Sequence, residues 1–258
     1  MLPIKDYNPT TRFAVVTAAL IAINVVVYFG VQQREGAQDR LAFERAAIPC
    51  ELKEQRPLSV IEIELTTRGI SDEACDVAAP EGVANQPFFP NKQVDLAVLY
   101  SMFLHGSLLH IGGNMLFLWV FGNNIEDKMG PVLYTIFYLV SGVVATLAHV
   151  AVQPDSTVPL IGASGAVAGV MGAYLVLFPR VRIRTVFIFF LILIRDIPAM
   201  WLLGAWFVLQ FFTGNESGVA WVAHVGGFVF GALVAFLFRG RLRPEPPQEA
   251  PPAWRGGY

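Results

Sequence analysis

Residues 161–172 read IGASGAVAGVMG and lie within a longer stretch, residues 156–179, that contains no Asp, Glu, Lys or Arg. A helix needs about 20 such residues to cross the hydrocarbon core of a bilayer, which is about 30 Å thick. The stretch therefore predicts a membrane helix. Ser164, within the GASG sequence, is a candidate functional residue, because polar groups inside a membrane span are costly to keep there.

Five further uncharged stretches occur elsewhere in the chain: residues 13–33, 96–125, 129–154, 197–215 and 217–238. Only 15% of the chain is charged, against about 25% in ordinary soluble domains. These features predict an all-α membrane protein with six transmembrane helices. The expected divisions are an N-terminal segment, 1–12; a first transmembrane helix, 13–33; a long loop, 34–95; a membrane core with five further helices, 96–239; and a Pro-rich tail, 240–258.

Lysines and arginines in the short connecting segments indicate how the chain is oriented. They precede the first predicted helix, separate the fourth from the fifth, and follow the sixth: Lys5, Arg12, Arg180, Arg182, Arg184, Arg195, Arg239, Arg241 and Arg243. The connections at 153–161 and 213–219 contain none. By the positive-inside rule, both termini are expected in the cytoplasm and the 34–95 loop outside. We expect a multi-pass protein of the plasma membrane of a bacterium, with a disordered tail.

The long external loop contains both cysteines of the chain, Cys50 and Cys75. Pairing between them would close a ring and order a polar segment, whereas the alternative is two unpaired thiols in a mobile loop. A metal site is disfavoured because no histidine lies near either cysteine. Residues 60–65 alternate apolar and acidic side chains, which predicts a short strand. Nucleic acid is not an expected partner, because no basic patch is interleaved with aromatic residues.

A seventh apolar segment, residues 185–194, is too short to cross a membrane and is bounded by Arg184 and Arg195. We expect it to lie at the cytoplasmic interface or to re-enter the membrane, and the sequence leaves both placements open.

The four histidines, His105, His110, His149 and His224, all lie in apolar stretches or at their ends. His110 and Asn114 are four residues apart, so they share one face of a helix and can donate hydrogen bonds toward one point. His105 is expected in a loop or first turn that supports this face, and interhelical hydrogen bonding is its alternative role. His149 is expected to be an interfacial or packing residue.

Two stripes of small residues suggest how Ser164 meets a partner. They are Ser164, Ala168 and Gly172 in the fourth predicted helix, and His224, Gly227 and Gly231 in the sixth. Facing stripes of this kind let membrane helices pack closely, which would bring Ser164 Oγ to the His224 ring. A histidine at that place can act as a general base. The alternatives are a helix cap for Ser164 and a packing role for His224.

No acidic residue is placed to orient His224, so the pattern predicts a Ser–His dyad instead of a triad. A serine at a helix N-terminus also lies beside free backbone N–H groups and the positive end of the helix dipole. Those groups suit the stabilisation of an oxyanion.

Three motifs in this order resemble those of the rhomboid family of intramembrane serine proteases. They are His105, His110 and Asn114; Gly162, Ala163, Ser164 and Gly165; and Ala223, His224 and Gly227. The resemblance covers about residues 101–238 and the first helix. It implies a six-helix rhomboid-like bundle with Ser164 as nucleophile and His224 as general base. It further implies an oxyanion site formed by Asn114, His110 and the Ser164 N–H, with His105, Gly162 and Gly165 in support.

The same resemblance implies cleavage of single-span membrane proteins near the external boundary, with no metal or cofactor and with membrane lipids as neighbours. The sequence departs from the family in two respects: Leu96 and Ala97 replace a frequent Trp-Arg pair, and Ala168 replaces a tyrosine that stacks on the catalytic histidine in some members. The competing functions are a non-catalytic relative that binds membrane clients, and a small transporter or channel. The oligomeric state is not fixed by the sequence.

Overall fold

The computed structural model describes residues 1–33, 37–81, 85–188, 192–213 and 220–242. The described residues are mostly helical. In chain order the elements are β1 (Leu2–Asp6), α1 (Val15–Val27, continued by a π-helical turn, Tyr28–Gln32), α2 (Ala37–Arg45), α3 (Pro49–Glu54), α4 (Val60–Thr67), α5 (Val94–Ser101), α6 (Leu108–Met129), α7 (Pro131–Val152), α8 (Ser164–Leu177), β2 (Arg182–Ile188), β3 (Ile192–Pro198), α9 (Ala199–Gln210) and α10 (Trp221–Leu242). The predicted Pro-rich tail, from residue 243 onward, lies outside the described residues.

Within the described residues, three helical segments are long and apolar enough to cross a membrane: Val15–Gln32, Pro131–Val152 and Trp221–Leu242. Two shorter apolar helices are α8 and α9. The 22-residue α6 is as long as α7 but ends in the charged residues Glu126, Asp127 and Lys128. The chain is therefore a mostly helical membrane protein.

Helix α8 lies at the centre of the bundle, and its residues from Gly165 to Tyr174 are all buried. It packs against α10 backbone to backbone. A Cβ atom at Gly231 would overlap the carbonyl oxygen of Gly169, and one at Gly227 would overlap that of Gly165. Only glycine permits an approach this close.

The predicted stripe on α8 was wrong by one residue at two of its three positions. The close backbone contacts of α8 with α10 are made at Gly165, Gly169 and Gly172, one residue away from the predicted positions Ser164 and Ala168. The reason is steric, because a side chain at the glycine positions would separate the helices. Ser164 thus lies beside the seam, and its hydroxyl stays available for other contacts.

The second predicted span, residues 96–125, is broken into α5 and α6 by the segment 102–107. Ser107 is the N-cap of α6, and its Oγ accepts a hydrogen bond from the His110 N–H at 3.1 Å. At its other end α6 runs past the predicted limit to Met129. There Glu126 accepts hydrogen bonds from the N–H groups of Val16 and Thr17, at 2.9 and 2.8 Å. The carboxylate thus provides acceptors for backbone N–H groups that have no partner within α1, at the positive end of its dipole.

The predicted strand at residues 60–65 is wrong, because the structure has helix α4 there. A capping box begins this helix: Ser59 accepts a hydrogen bond from the Glu62 N–H, and Glu62 accepts one from the Ser59 N–H. Two reciprocal bonds of this kind favour a helix over a strand. Arg56 also forms a two-pronged contact with the buried Glu62 carboxylate, at 2.9 and 2.7 Å.

The long loop, residues 34–95, is fastened to the segment that leads into α8. A disulfide joins Cys50 to Cys75, whose Cα atoms are 5.6 Å apart. The Cys50 N–H donates to the Ser156 carbonyl at 3.0 Å, and the Thr157 N–H donates to the Asp72 carbonyl at 2.8 Å. Ordering of the loop therefore also orders the approach to Ser164.

The all-α prediction needs a correction, because the described residues include a three-stranded antiparallel sheet in the order β1-β2-β3. Of the segment 185–194, residues 185–188 belong to β2 and residues 192–194 to β3, while residues 189–191 lie outside the described residues. In β2, Arg182 and Arg184 are exposed while Ile183 and Thr185 are buried. This alternation is the pattern of a strand with one covered face. The sheet lies at the end of α8 opposite Ser164.

Candidate active site

The Oγ atom of Ser164 lies 2.8 Å from Nε2 of His224. Ser164 is the first residue of α8, and Ala163 occupies the N-cap position without a side-chain cap. The serine hydroxyl therefore points to the histidine, and the alternative role as a helix cap does not apply. His224 lies in the first turns of α10, where the glycine seam brings α10 against α8.

The other ring nitrogen of His224, Nδ1, lies 2.8 Å from Oε1 of Gln210 at the end of α9. The Gln210 amide nitrogen donates to the Trp206 carbonyl at 3.1 Å. The Trp206 ring lies 5.8 Å from the His224 ring, centroid to centroid. This contact was not predicted from the sequence. A signal was present, because Gln210 is the only amide side chain in the apolar residues 197–212.

His105 lies in the loop before α6 and is fully buried. Its Nε2 accepts a hydrogen bond from the Ala163 N–H at 3.5 Å. Its backbone is bonded on both sides by the Gln32 side chain, which accepts from the His105 N–H at 3.0 Å and donates to the His105 carbonyl at 3.1 Å. His105 thus connects the end of α1 to the residue before Ser164, as expected of a supporting residue.

His110 lies in the first turn of α6, and its ring is 5.1 Å from the His105 ring in an edge-on arrangement. Across from it, Gly162 has φ +125°, a conformation that L side chains rarely adopt. A Cβ at Gly162 would lie 2.7 Å from His110 Nε2 and 3.5 Å from Ser164 Oγ. The missing side chain therefore leaves the space between His110 and Ser164 open.

Asn114 lies one turn beyond His110 on the same face of α6. It is 8% exposed, and its Nδ2 atom has no hydrogen-bond partner among the described residues. An amide donor kept buried without a partner is costly. Such a group is suited to a ligand atom that carries developing negative charge. Gly165, the second expected supporting glycine, packs against Ala145, with which a Cβ would clash at 2.6 Å.

Ser164, His224 and His110 line a cavity of about 660 Å³, whereas Asn114 is not among its lining residues. Its lining residues come from the long loop (34–95), from the segment before α8, and from α6, α7, α8 and α10 or the residues beside them: Ser71, Asp72, Glu73, Gly106, Ser107, His110, His149, Gln153, Ser156, Val158, Pro159, Leu160, Ile161, Ser164, Ala220 and His224. His149 was expected to pack or to lie at the interface, and it is in fact part of this lining. Its Nδ1 atom is buried without a hydrogen-bond partner in the described part of the chain.

Known proteins resemble the part of the chain that holds these residues. A family model described as "Rhomboid domain" matches residues 95–241. Rhomboid protein 1, mitochondrial, of Saccharomyces cerevisiae is 30% identical over 154 residues, which cover 54% of this chain and 40% of that protein. Rhomboid protease AarA of Providencia stuartii is 31% identical over 151 residues, or 54% of each chain.

A third relative, RHOMBOID-like protein 12, mitochondrial, of Arabidopsis thaliana, is 33% identical over 167 residues, which cover 57% of this chain and 47% of that protein. The matched part thus spans about half the length of these relatives.

Proposed function

This chain belongs to the rhomboid family, and on that premise we propose that it is an intramembrane serine endopeptidase. The observation that carries the proposal is the 2.8 Å separation between Ser164 Oγ and His224 Nε2 inside a cavity. This distance is within hydrogen-bond reach, which a nucleophile and its general base require.

The proposed reaction has two halves. In the first, Ser164 Oγ attacks the substrate carbonyl carbon while His224 Nε2 takes the hydroxyl proton. The tetrahedral intermediate then collapses, the C–N bond breaks, and His224 gives that proton to the leaving amine. In the second half, His224 takes a proton from water as the water attacks the acyl ester. Collapse of this intermediate breaks the C–O bond and returns the proton to Ser164.

We propose that the oxyanion is bound by the Asn114 amide, the His110 ring and the Ser164 N–H. Support comes from the buried Asn114 Nδ2 without a partner among the described residues and from the open space beside Gly162. The Ser164 N–H is at the start of α8, where backbone N–H groups have no partner within the helix. Donors fixed in place before the charge develops cost no reorganisation during the reaction.

The proposed substrates are transmembrane proteins, cut near the external boundary of the membrane. We propose six crossing helices, α1 and α6 to α10, with both termini in the cytoplasm, as the arginine distribution predicts. Ser164 is half-buried at the first residue of α8, and Asp72 and Glu73 of the 34–95 loop line the same cavity; both observations support water entry from the side of that loop. The membrane location follows from the family. The plasma membrane of a bacterium stays a prediction, since two of the matched relatives are named as mitochondrial.

A fluorophosphonate probe, which reacts with activated serines, tests the proposal directly. The purified protein should be labelled, and Ser164→Ala should lose the label. Ser156→Ala is the matched control, since Ser156 also lines the cavity and should leave labelling intact. The wild-type protein should also cut a single-span substrate that has small residues at its external boundary. A protein that neither labels nor cuts would instead be a non-catalytic relative that binds membrane clients.

A further inference from the structure

We propose that Gln210 of α9 is the positioning residue of this site, which holds His224 in the tautomer that can accept the Ser164 proton. The inference rests on the proposed function and adds to it a third member that comes from a different helix. It starts from two contacts of one buried side chain: Oε1 to His224 Nδ1 at 2.8 Å and Nε2 to the Trp206 carbonyl at 3.1 Å.

The Trp206 contact fixes which way the Gln210 amide points. A backbone carbonyl oxygen can only accept a hydrogen bond, so the amide NH₂ group must face it. The amide oxygen, Oε1, is then the atom that faces His224. This assignment follows from the network of donors and acceptors, which is the ordinary basis for orienting an amide.

The Gln210 orientation then fixes the histidine tautomer. Oε1 can only accept, so His224 Nδ1 must carry the proton, and Nε2 is left as an acceptor. Nε2 is the atom 2.8 Å from Ser164 Oγ, and therefore the serine hydroxyl must donate to it. The hydrogen bonds therefore form a chain in which each group donates to the next: Ser164 to His224, His224 to Gln210, and Gln210 to the Trp206 carbonyl. This is the direction of donation that removal of the Ser164 proton by His224 requires.

Burial makes this arrangement hard to replace. Gln210 is 7% exposed on an otherwise apolar helix, and a buried amide is costly unless it is hydrogen-bonded. Both of its polar atoms are satisfied here. The Trp206 ring contacts the rings of His224 and Phe228, with centroid distances of 5.8 and 5.9 Å. These contacts keep α9 packed against α10 beside the proposed base. Ala168, which is fully buried in α8, offers His224 neither a ring nor a polar group.

The orienting group is neutral, unlike the aspartate of a triad. The titratable side chains that line the cavity with His224 are His110 from α6 and His149 from α7, with Asp72 and Glu73 at the external rim. A neutral amide orients the imidazole but stabilises the imidazolium less than a carboxylate would. Because the amide belongs to α9, movement of that helix away from α10 would also release the base.

The test compares Gln210→Leu, which removes the acceptor, with Gln210→Glu, which keeps an acceptor and adds charge. Thr213→Val is the matched control, because Thr213 donates to the Leu209 carbonyl within the same segment. Gln210→Leu should lower kcat by about 10- to 100-fold with little change in KM, the size expected for loss of one buried hydrogen bond to a reacting group. Gln210→Glu should keep more activity and move the acid limb of the pH–rate profile to higher pH. Thr213→Val should match the wild type.

A second readout needs no catalysis. With ¹⁵N-labelled histidine, the His224 signal, assigned by its absence in His224→Ala, should show Nδ1 protonated in the wild type and a mixture of tautomers in Gln210→Leu. A wild-type His224 protonated at Nε2 would overturn the inference about Gln210. So would an effect of Gln210→Leu on KM alone. Protonation at Nδ1 in a protein that does not cleave would leave the role of Gln210 intact and contradict the proposed function instead.

Discussion

The carbonyl oxygen of Gly169 on α8 lies against the Cα of Gly231 on α10, where no Cβ would fit. This contact and the neighbouring one between Gly165 and Gly227 set the distance between the two helices. Ser164 and His224 lie one turn or less from this seam, toward the N-terminal ends of α8 and α10, so their 2.8 Å separation depends on it. The distance between the proposed nucleophile and base is thus set by glycines that lack a Cβ atom.

A Gly231→Ala substitution should therefore reduce both stability and cleavage. The new methyl group must push α10 from α8, and overpacking of this kind typically costs about 1–3 kcal/mol. Gly240→Ala on the same helix is the control, since a Cβ there meets nothing within 4 Å. Thermal unfolding in detergent and turnover of a transmembrane substrate measure the two effects. Equal behaviour of the two variants would show that the seam does not set the site.

The dyad itself is expected to be indispensable. Ser164→Ala and His224→Ala should each abolish cleavage of a transmembrane substrate, and the double variant should be no worse, because residues that act as a unit lose their effect together. The thermal midpoint should stay close to that of the wild type. Turnover near the wild-type rate in either single variant would contradict the proposed mechanism.

Asn114→Ala should lower kcat by about 10²–10³-fold, the effect of removing one oxyanion donor. KM should change far less, because the interaction is expected to be strong only in the transition state. Gly113→Ala is a neighbouring control, since a Cβ at Gly113 meets nothing within 4 Å. A loss confined to KM would identify Asn114 as a substrate-binding residue instead.

The sequence predicted the membrane core better than the polar parts, for a physical reason. In a bilayer, apolar length and rare polar groups carry most of the information, so Ser164, His224, His110 and Asn114 could be found from their placement alone. The pairing of Ser164 with His224 was predicted from stripes of small residues, although the stripe on α8 was misplaced by one residue. The contacts of Gln210 depend on which face α9 presents to α10. A single polar residue in an apolar segment does not specify that face.

Outside the membrane core, different local sequence patterns predicted different secondary structures for the same residues. Residues 60–65 alternate like a strand, yet the capping box of Ser59 and Glu62 begins a helix there. The N-terminal strand β1 was missed because its partner, β2, is about 180 residues away in the sequence. Long-range pairing of this kind leaves little local signal.

The long loop, residues 34–95, should lose stability in acid through Glu62. Burial alone would raise the pKa of this carboxyl, but hydrogen bonds from Arg56 and Ser59 lower the pKa to about 2, from 4.5. Stabilisation by the carboxylate is therefore complete above about pH 4.5 and is lost as the pH falls toward 2, and it amounts to about 3 kcal/mol.

Thermal unfolding between pH 6 and pH 3 measures this effect. Glu62→Gln should be less stable than the wild type at pH 6 and should show a smaller further loss on acidification. Glu64→Gln is the control, because Glu64 forms only an exposed pair with Arg68 and should follow the wild-type curve. Parallel curves for the wild type and Glu62→Gln would contradict the assignment.

The last prediction concerns entry of the substrate between helices. We propose α9 as the gate, because it carries bulky aromatic residues that can repack against lipid or neighbouring helices. Phe211, at the end of α9, is 56% exposed, and its ring lies 5.8 Å from that of Trp221, the first residue of α10. This contact connects α9 to α10 at the cavity end, and a transmembrane substrate that enters there must separate the two rings.

Phe211→Ala should therefore speed cleavage of a transmembrane substrate while leaving fluorophosphonate labelling unchanged, because a small soluble probe needs no lateral opening. Trp201→Ala is the control, since Trp201 is 66% exposed on the same helix and its loss should alter neither rate. Trp206 is unsuitable for this test because its ring contacts His224. A rise in both rates after Phe211→Ala would place the effect in the catalytic centre. Unchanged transmembrane cleavage after α9 and α10 are joined by a covalent cross-link near Phe211 and Trp221 would exclude entry between those helices.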